Sequence, residues 1–289
     1  DPPAACPHGP DRMTPDEYCQ QKAAQSGSSF YYSFMFLPPE RRRAITALYA
    51  FCREVDDAVD EPGDPQVARA KLEWWRHEVA QLYAGHAQHP VTRALGPAIG
   101  PFNIQQRQLG DIMDGMEMDL TQHRYPDFQS LRLYCHRVAG VVGLLAASIF
   151  GYRNPKTLEY AENLGLAFQL TNIIRDVGED ARKNRIYIPS DEMQRFGVSA
   201  ADVLNAQHTE NFSRLIEFQV RRVENCYSEA LAALPAEDRR AQRPGLVMAA
   251  IYRTVLDEIG RDGYQVLTRR TTLTPIRKLW IAWKTWVSA

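Results

Sequence analysis

The sequence predicts an all-α fold in a single domain, and three observations support that class. Apolar residues recur at helical spacing, no segment alternates apolar and polar residues as a strand does, and no βαβ order appears. No long linker or low-complexity tract divides the 289 residues. We therefore expect one helical bundle with an apolar interior, extending over residues 14–289.

Prolines and capping residues place the individual helices. Thr14 and Glu17 have the spacing of a capping box at the first helix, and Pro38 and Pro39 separate that region from the next helix. A Pro- and Gly-rich tract at residues 61–65 ends the second long helix. The predicted helices cover residues 15–27, 40–60, 66–83, 105–120, 127–150, 169–180, 210–234, 246–268 and 276–287.

Composition excludes several classes of function. A formal net charge of −1 gives no general attraction to nucleic acid. Five cysteines without a CxxC pair make disulfides and a structural zinc site unexpected and fit the cytoplasm. The longest uncharged apolar run, residues 138–150, is too short to cross a bilayer. Residues 1–13 are Pro-rich and lack a signal-peptide core, so we expect a disordered extension, with Met13 as a candidate start.

The first of two polar stripes lies in the segment 165–189. Gln169, Asn172, Asp176 and Asp180 are three, four and four residues apart, which places them on one face of a helix. Their neighbours are apolar, so this face should look into the interior, where uncompensated carboxylates are costly. The stripe therefore predicts a metal ion or another cationic partner.

The second stripe has the same design. Tyr49, Arg53, Asp56 and Asp60 are four, three and four residues apart. Two facing helices with paired carboxylates form an oxygen-rich site that suits Mg²⁺, which completes its shell with water and phosphate oxygens. Arg53 has the geometry to clamp a diphosphate while it balances the carboxylates. Either stripe alone also fits a solvated helix face, but both together favour the metal site.

Three motifs together resemble one enzyme family. They are Tyr49-x3-Arg53-x2-Asp56-x3-Asp60, Gln169-x2-Asn172-x2-Arg175-Asp176-x3-Asp180, and the segment Tyr134-Cys-His-Arg-Val-Ala-Gly140 between them. This combination is similar to the squalene/phytoene synthase family of head-to-head prenyltransferases, from about Tyr18 to the last helix. The resemblance implies a helical bundle of the isoprenoid synthase type, with the two stripes facing each other above a central apolar cavity.

Within the family, four segments are most similar to the bacterial enzymes that make presqualene diphosphate for hopanoids: SGSSFYYSF, GMEMDL, RRAQRPGL and RKLWIAWKTW. The implied reaction joins two farnesyl diphosphates with Mg²⁺, in two or three ions, and without NADPH. Alternatives are a phytoene synthase that uses two geranylgeranyl diphosphates, a one-step NADPH-dependent squalene synthase, or an inactive helical assembly factor. Downstream isoprenoid enzymes are the implied protein partners.

The resemblance also implies a role for each matching residue. Tyr49, Arg53 and Tyr134 are the catalytic candidates, and Asp56, Asp60, Asn172, Asp176 and Asp180 are the metal ligands. The implied substrate-binding residues are Ser29, Phe30, Phe34, Val138, Ala139, Gly140, Gly143, Phe168, Gln169, Arg175, Arg185, Tyr252 and Arg269. Gly27 departs from the pattern, because the family has a serine there.

Some residues leave two interpretations open. Gly140 and Gly143 inside an apolar helix indicate close approach by a neighbouring helix or by an isoprenoid chain. Asp111, Asp114 and Asp119 are assigned to helix packing beside three methionines. The last predicted helix carries Trp280, Trp283 and Trp286 with basic residues, which suits either packing on the body or contact with the inner face of a membrane.

Overall fold

The helices begin at the caps and prolines that the sequence predicts. In the computed structural model the Thr14 amide donates to Glu17 Oε2 at 2.7 Å and the Glu17 amide donates to Thr14 Oγ1 at 3.3 Å, which completes the capping box. The structure describes residues 13–25, 29–60 and 64–289. The predictions for residues 1–12 and for Gly27 lie outside the described residues.

The regular structure of the described segments is helical. The one β-type pairing in these segments is an isolated bridge between Arg124 and Ile186. This confirms the all-α prediction. In chain order the helices are α1 Pro15–Gln25, α2 Ser29–Phe34, α3 Pro39–Asp60, α4 Pro65–Tyr83, α5 Pro90–Ile99, α6 Gln106–Thr121, α7 Phe128–Cys135, α8 Val141–Phe150, α9 Lys156–Arg175, α10 Val177–Arg182, α11 Ser190–Arg195, α12 Ala200–Leu204, α13 Glu210–Ala233, α14 Arg243–Arg261 and α15 Pro275–Ser288.

The predicted helix over residues 127–150 runs without a gap, but its hydrogen-bond pattern changes in the middle. A π-helical segment, His136–Gly140, separates α7 from α8, and the Val141 amide donates to the His136 carbonyl. Two glycines on neighbouring helices accommodate the wider turn. A Cβ on Gly115 would lie 2.7 Å from Val138 Cγ1, and one on Gly165 would lie 2.4 Å from the Ala139 carbonyl oxygen.

The predicted helix through residues 169–180 is broken at Asp176, which has φ −102° and ψ 9°. The Gly178 amide donates to the Val266 carbonyl at 3.1 Å instead of continuing the α9 ladder. A Cβ on Gly178 would lie 2.2 Å from the Leu267 carbonyl oxygen, so only glycine allows this approach. The prediction of one uninterrupted helix is therefore wrong here.

The predicted helix over residues 246–268 also ends earlier, at Arg261. Gly263 and Tyr264 have φ values of 66° and 60°, which a right-handed helix does not contain. The residues after them form an irregular segment that reaches α15 and lies against α10. This early ending allows residues 264–274 to contribute to the site described below.

Two apolar clusters build the interior. One contains the buried residues of α9, α13 and α14, and the other contains those of α3, α4, α5 and α6. Phe30 and Val138 pack against both clusters. Gly143 lets α8 approach α9 closely, because a Cβ there would lie 2.3 Å from the Ala161 carbonyl oxygen. A neighbouring helix thus accounts for this glycine.

Candidate active site

A cavity of about 590 Å³ lies between the two clusters. Its walls come from α2, α3, the α7–α8 region, α9, α14 and the segment before α15. Along α9 the lining residues run from Arg175 and Asn172 at one end to Tyr160 at the other. Charged side chains thus lie at one end, and mostly apolar side chains line the rest.

Most of the predicted site residues line this cavity. These are Ser29, Phe30, Phe34, Tyr49, Arg53, Asp56, Tyr134, Val138, Ala139, Gly143, Phe168, Gln169, Asn172, Arg175 and Tyr252. The structure does not place Asp60, Asp176, Asp180, Gly140, Arg185 or Arg269 in the lining. Asp60 pairs with Arg185, Asp176 pairs with Arg270, and Asp180 lies near Asp176, whereas Gly140 faces His136 and Glu162.

Asp56 lines the cavity together with Asn172. Arg53 donates to Asp56 at 2.7 Å and to Asp57 at 3.0 Å, so one guanidinium bridges two carboxylates. Burial raises the pKa of Asp56 to about 6, against the opposing effect of Arg53. A buried acid with an elevated pKa beside a polar opening is a feature of functional sites.

Asp60 connects α3 with the segment that follows α10. It accepts hydrogen bonds from Lys183 at 3.1 Å and from Arg185 at 2.9 Å. Burial alone would raise the pKa of Asp60, but the bonds from Arg185 and Lys183 hold it below its usual range. Basic residues after α10 therefore pair directly with the acidic stripe of α3.

Asp176 occupies the break between α9 and α10. Arg175 Nε donates to Asp176 at 2.7 Å, and Arg270 Nε donates to the same carboxylate oxygen at 2.8 Å. Arg270 lies in the cavity lining, whereas Arg269 pairs with Asp262 at 3.3 Å and has a 70% exposed side chain. The family resemblance pointed to Arg269, whereas the structure places the neighbouring Arg270 in the lining.

Two oxygen groups at the polar end have no partner among the described residues. Asn172 Oδ1 is buried without a hydrogen bond, and the Asp180 carboxylate has neither a hydrogen-bond donor nor an ion pair. Burial and the nearby Asp176 raise the pKa of Asp180 to about 7. Carboxylate and amide oxygens of this kind suit Mg²⁺.

The described residues contain no compact group of three or more His, Cys, Asp or Glu side chains that would hold a metal ion alone. The carboxylates are instead divided among the ion pairs with arginine and lysine. The donor set nevertheless fits an ion that takes few protein ligands and completes its shell with phosphate oxygens. Asp56, Asp60, Asn172, Asp176 and Asp180 remain predictions as metal ligands.

Asp119 joins the site although the sequence assigned it to packing. Its carboxylate accepts from the Tyr134 hydroxyl at 2.9 Å and from the Tyr187 hydroxyl at 2.6 Å. The two tyrosine rings stack with centroids 5.3 Å apart. A signal was present: Asp119 continues the buried stripe of α6, three residues after Met116. An acid on an apolar helix face indicates a polar partner inside.

Comparison with known proteins decides the family. A family model described as squalene/phytoene synthase matches residues 23–277. The chain belongs to the squalene/phytoene synthase family. A phytoene synthase of Arthrospira platensis is 36% identical in an alignment of length 276 that covers 91% of this chain and 89% of that protein.

Solved structures of the squalene/phytoene synthase family have the same fold. A dehydrosqualene synthase in complex with a ligand superposes with a TM-score of 0.84 and 28% identity, over 95% of this chain and 96% of that chain. Squalene synthase HpnC from Alicyclobacillus acidocaldarius superposes with a TM-score of 0.78 and 28% identity, over 86% and 94%. The predictions of the family, of the isoprenoid synthase fold and of a prenyltransferase are confirmed.

Membership also supports a prenyl diphosphate as the substrate and dependence on Mg²⁺, as in other members. Among the described residues one helical segment, Phe128–Phe150, is long and apolar enough to cross a membrane by those two criteria. Half of its most apolar window is buried inside the protein, as in a core helix. By itself the segment is weak support for a membrane span.

Proposed function

We propose that this prenyltransferase joins two farnesyl diphosphates head to head to give presqualene diphosphate, as a step towards squalene and hopanoids. The observation that carries the proposal is a cavity that is polar at one end and closed at the other. Such a cavity holds diphosphates at its polar end and prenyl chains in its apolar part. The position of the closed end supports the proposed substrate length.

The far end of the cavity is lined by Tyr160, Phe150 and Gln242, whose exposed surfaces are 1%, 7% and 1%. Asn172 and Tyr160 are twelve residues apart on α9, roughly 18 Å at the rise of an α-helix. A fifteen-carbon chain extending from the polar end fits this length. A twenty-carbon chain would press against the buried Tyr160 ring.

The charged residues around the polar end are suited to hold two diphosphates. Arg53, Arg175 and Arg270 line the cavity there, and Arg185 lies beside Asp60. Arginine binds phosphate oxygens through two parallel hydrogen bonds. Bound at the predicted aspartates and Asn172, two or three Mg²⁺ ions would supply the Lewis acid that neutralises the leaving diphosphate.

The proposed reaction balances as follows. The donor loses its diphosphate from C1, and the C2=C3 double bond of the acceptor forms a bond to that carbon. A proton then leaves C1 of the donor, and the electron pair that it leaves behind forms a bond from that carbon to C3 of the acceptor, which closes the cyclopropane. The products are presqualene diphosphate, diphosphate and a proton. The apolar lining excludes water that would otherwise capture the carbocation.

Two tyrosines are the candidates for guiding this chemistry. Tyr134 lines the cavity with its hydroxyl hydrogen-bonded to Asp119, where it is placed to receive and direct the departing proton. Tyr49 lines the cavity one turn before Arg53, and its ring face would stabilise a nearby cation. Both roles belong to the proposal.

The proposed reaction stops before reduction, so NADPH is not a substrate in it. We further propose a cytoplasmic enzyme that passes its product to downstream isoprenoid enzymes and touches the inner face of the membrane through α15. The runner-up is phytoene synthase, which the 36% identity to the Arthrospira platensis protein favours. A reductive squalene synthase is the second alternative.

Product analysis separates these candidates. Purified protein is incubated with Mg²⁺ and either farnesyl or geranylgeranyl diphosphate, with and without NADPH, and the products are identified by mass spectrometry. Presqualene diphosphate that accumulates from farnesyl diphosphate in both tubes supports the proposal. Squalene formed only with NADPH indicates the reductive enzyme, and phytoene without any farnesyl product indicates the runner-up.

A variant at the closed end tests the length argument. Tyr160→Ala should raise turnover of geranylgeranyl diphosphate relative to farnesyl diphosphate by about tenfold, because it removes the ring that limits the cavity. Tyr160→Phe is the matched control, since it keeps the ring and removes only a hydroxyl without a hydrogen bond. An unchanged ratio in Tyr160→Ala would show that this residue does not limit chain length.

A further inference from the structure

The last helix, α15, has two apolar faces, and only one of them is covered. On the covered face, Ala282 is 1% exposed, and the ring of Trp286 lies 5.1 Å from that of Phe36. The guanidinium of Arg243 also lies 5.6 Å from the Trp286 ring. This face attaches α15 to α2 and α14, so the helix is held in a fixed orientation on the body.

The opposite face is apolar and open. Ile276, Trp280, Trp283 and Val287 are spaced four, three and four residues apart, and they are 80%, 58%, 53% and 66% exposed. The rings of Trp280 and Trp283 lie 5.3 Å apart and form one surface. A helix packed on a globular body ordinarily turns polar residues to solvent, so this stripe indicates a further partner.

Neighbouring residues extend the open face beyond α15. Tyr31 of α2 and Met35 and Phe36 just after it are each 40–42% exposed, and Phe36 contacts Trp286 of α15. We refer to Ile276, Trp280, Trp283 and Val287, with these three residues, as the apolar face. Several large side chains in one surface exceed the scattered apolar residues of an ordinary monomer.

The charge around the apolar face identifies the partner. Residues 263–289 contain five basic residues and no Asp or Glu, although the whole chain has a net charge of −1. Lys284 is exposed beside Trp283 and has no ion pair among the described residues, whereas Arg277 beside Ile276 pairs with Glu258 at 2.8 Å. Tryptophan next to basic residues suits the boundary of an anionic bilayer, where rings enter the headgroup layer and cations meet phosphates.

A second copy of the chain is a less favourable occupant. Two copies joined through this face would place the unpaired Lys284 of each copy in or beside the same interface. Like charges in one interface oppose association. An anionic bilayer has the complementary charge and needs no matching shape.

The apolar face also adjoins the cavity. Lys278 on α15 and residues 271–273 just before it line the cavity wall. The Lys278 ammonium lies 5.7 Å from the ring centroid of Tyr32 on α2, beside the exposed Tyr31. The same two elements thus contribute to the apolar face and to the cavity.

We propose that the apolar face of α15 and α2 docks the protein on a bilayer of anionic lipid. In this orientation the cavity wall formed by Lys278 and residues 271–273 lies next to the membrane. Long prenyl chains would pass between bilayer and cavity over a short path. This rationale rests on the proposed prenyl chemistry, whereas the docking itself rests on the exposed residues and their charge.

Vesicle flotation of the full chain tests the docking. The wild type should float with vesicles of phosphatidylcholine and phosphatidylglycerol, and much less of it should float with vesicles of pure phosphatidylcholine. High salt should weaken the binding because it screens the charges. Trp280→Ser with Trp283→Ser should weaken binding at least tenfold. Trp74→Ser is the matched control, since Trp74 is 48% exposed on α4 and lies outside the apolar face.

Diphosphate release from a dispersed substrate separates failure of docking from failure of the chemistry. The double variant should keep wild-type release and wild-type circular dichroism, because neither tryptophan lines the cavity. Equal vesicle binding by wild type and double variant would overturn the proposal, as would a wild type that never floats. Loss of a wild-type dimer in the double variant, without vesicle binding, would identify a self-association surface instead.

Discussion

Asp119 and Asp238 are both buried, 5% and 1% exposed, but they are held in opposite ways. Asp238 accepts from the backbone amides of Arg153 and Asn154 at 2.7 and 2.9 Å and from the Thr157 hydroxyl at 2.6 Å. Burial would raise the pKa of Asp238, but these three donors hold it below its usual range. Its charge is fully compensated by donors with fixed positions.

Asp119 accepts only from two tyrosine hydroxyls, Tyr134 and Tyr187, in the described structure. Burial raises the pKa of Asp119, and the bonds from Tyr187 and Tyr134 and the nearby Arg185 offset this only in part. Asp60 also lies near enough to raise it further. The carboxylate is therefore left in an environment that favours an additional cation.

The difference separates a structural acid from a functional one. Asp238 fixes the turn between α8 and α9 against the segment before α14, far along the chain from either acidic stripe. Asp119 orients two phenols beside a cavity and shares a region with other carboxylates. Although the two acids are similarly buried, we expect mutation of Asp119 to lower activity and mutation of Asp238 to lower stability.

The largest expected effect comes from the acids of the two stripes. Asp56→Ala or Asp176→Ala should lower Mg²⁺-dependent diphosphate release by about a thousandfold or more, because the leaving group loses its predicted metal ligand. Helical circular dichroism should be largely unchanged. Asp111→Ala on α6, outside the cavity lining, is the matched control and should retain activity. Wild-type turnover in either stripe variant would refute the metal-site assignment.

Asp119→Asn should have the next largest effect, lowering kcat by about a hundredfold with a small change in KM. The amide keeps the volume of the carboxylate but no longer accepts equally from both tyrosine hydroxyls, so Tyr134 loses its fixed position. Steady-state kinetics would measure the split between kcat and KM. Asp114→Asn, one turn and a half earlier on α6 and paired with Arg76, is the control. Wild-type kcat in Asp119→Asn would show that the residue only packs.

Much of the fold was predictable because local signals and tertiary structure agree. The caps and prolines placed the starts of α1, α3 and α4 within one residue. The break at Asp176 was not predictable, since it depends on the Val266 carbonyl, ninety residues further along the chain. The π-helical segment likewise depends on glycines of two neighbouring helices.

The candidate site was predictable where helical period and residue type coincide. Tyr49, Arg53 and Asp56 line the cavity as their spacing predicts. Arg270 lies in an irregular segment, where spacing carries no information about direction. The helical period alone could have identified Asp119, because this residue lies on the buried face of α6. The length limit that we propose for Tyr160 could be inferred only from the packed structure.

Asp238→Asn should destabilise the protein by about 2 kcal/mol, or roughly thirtyfold in the folding equilibrium, while activity is retained below the melting transition. The amide group cannot accept from both backbone amides and from Thr157, so a buried donor loses its partner. Glu237→Gln is the control, because the neighbouring Glu237 forms only an exposed bond to Asn154. Urea unfolding followed by circular dichroism measures both. Equal stability of the two variants would contradict the structural role.

The smallest expected effect is a dependence of the unfolding free energy on pH that arises from titration of the Asp238 carboxyl. Its folded-state pKa lies below the unfolded value of 3.8, so folding is stabilised above that pH and the stabilisation is lost as the pH falls through the folded pKa. The difference in unfolding free energy between wild type and Asp238→Asn should therefore be constant from pH 7 to pH 5 and shrink below pH 3.8. Urea unfolding at several pH values measures this difference. A difference that grows on acidification would mean that the folded structure binds the protonated acid better, and the contrast with Asp119 would then fail.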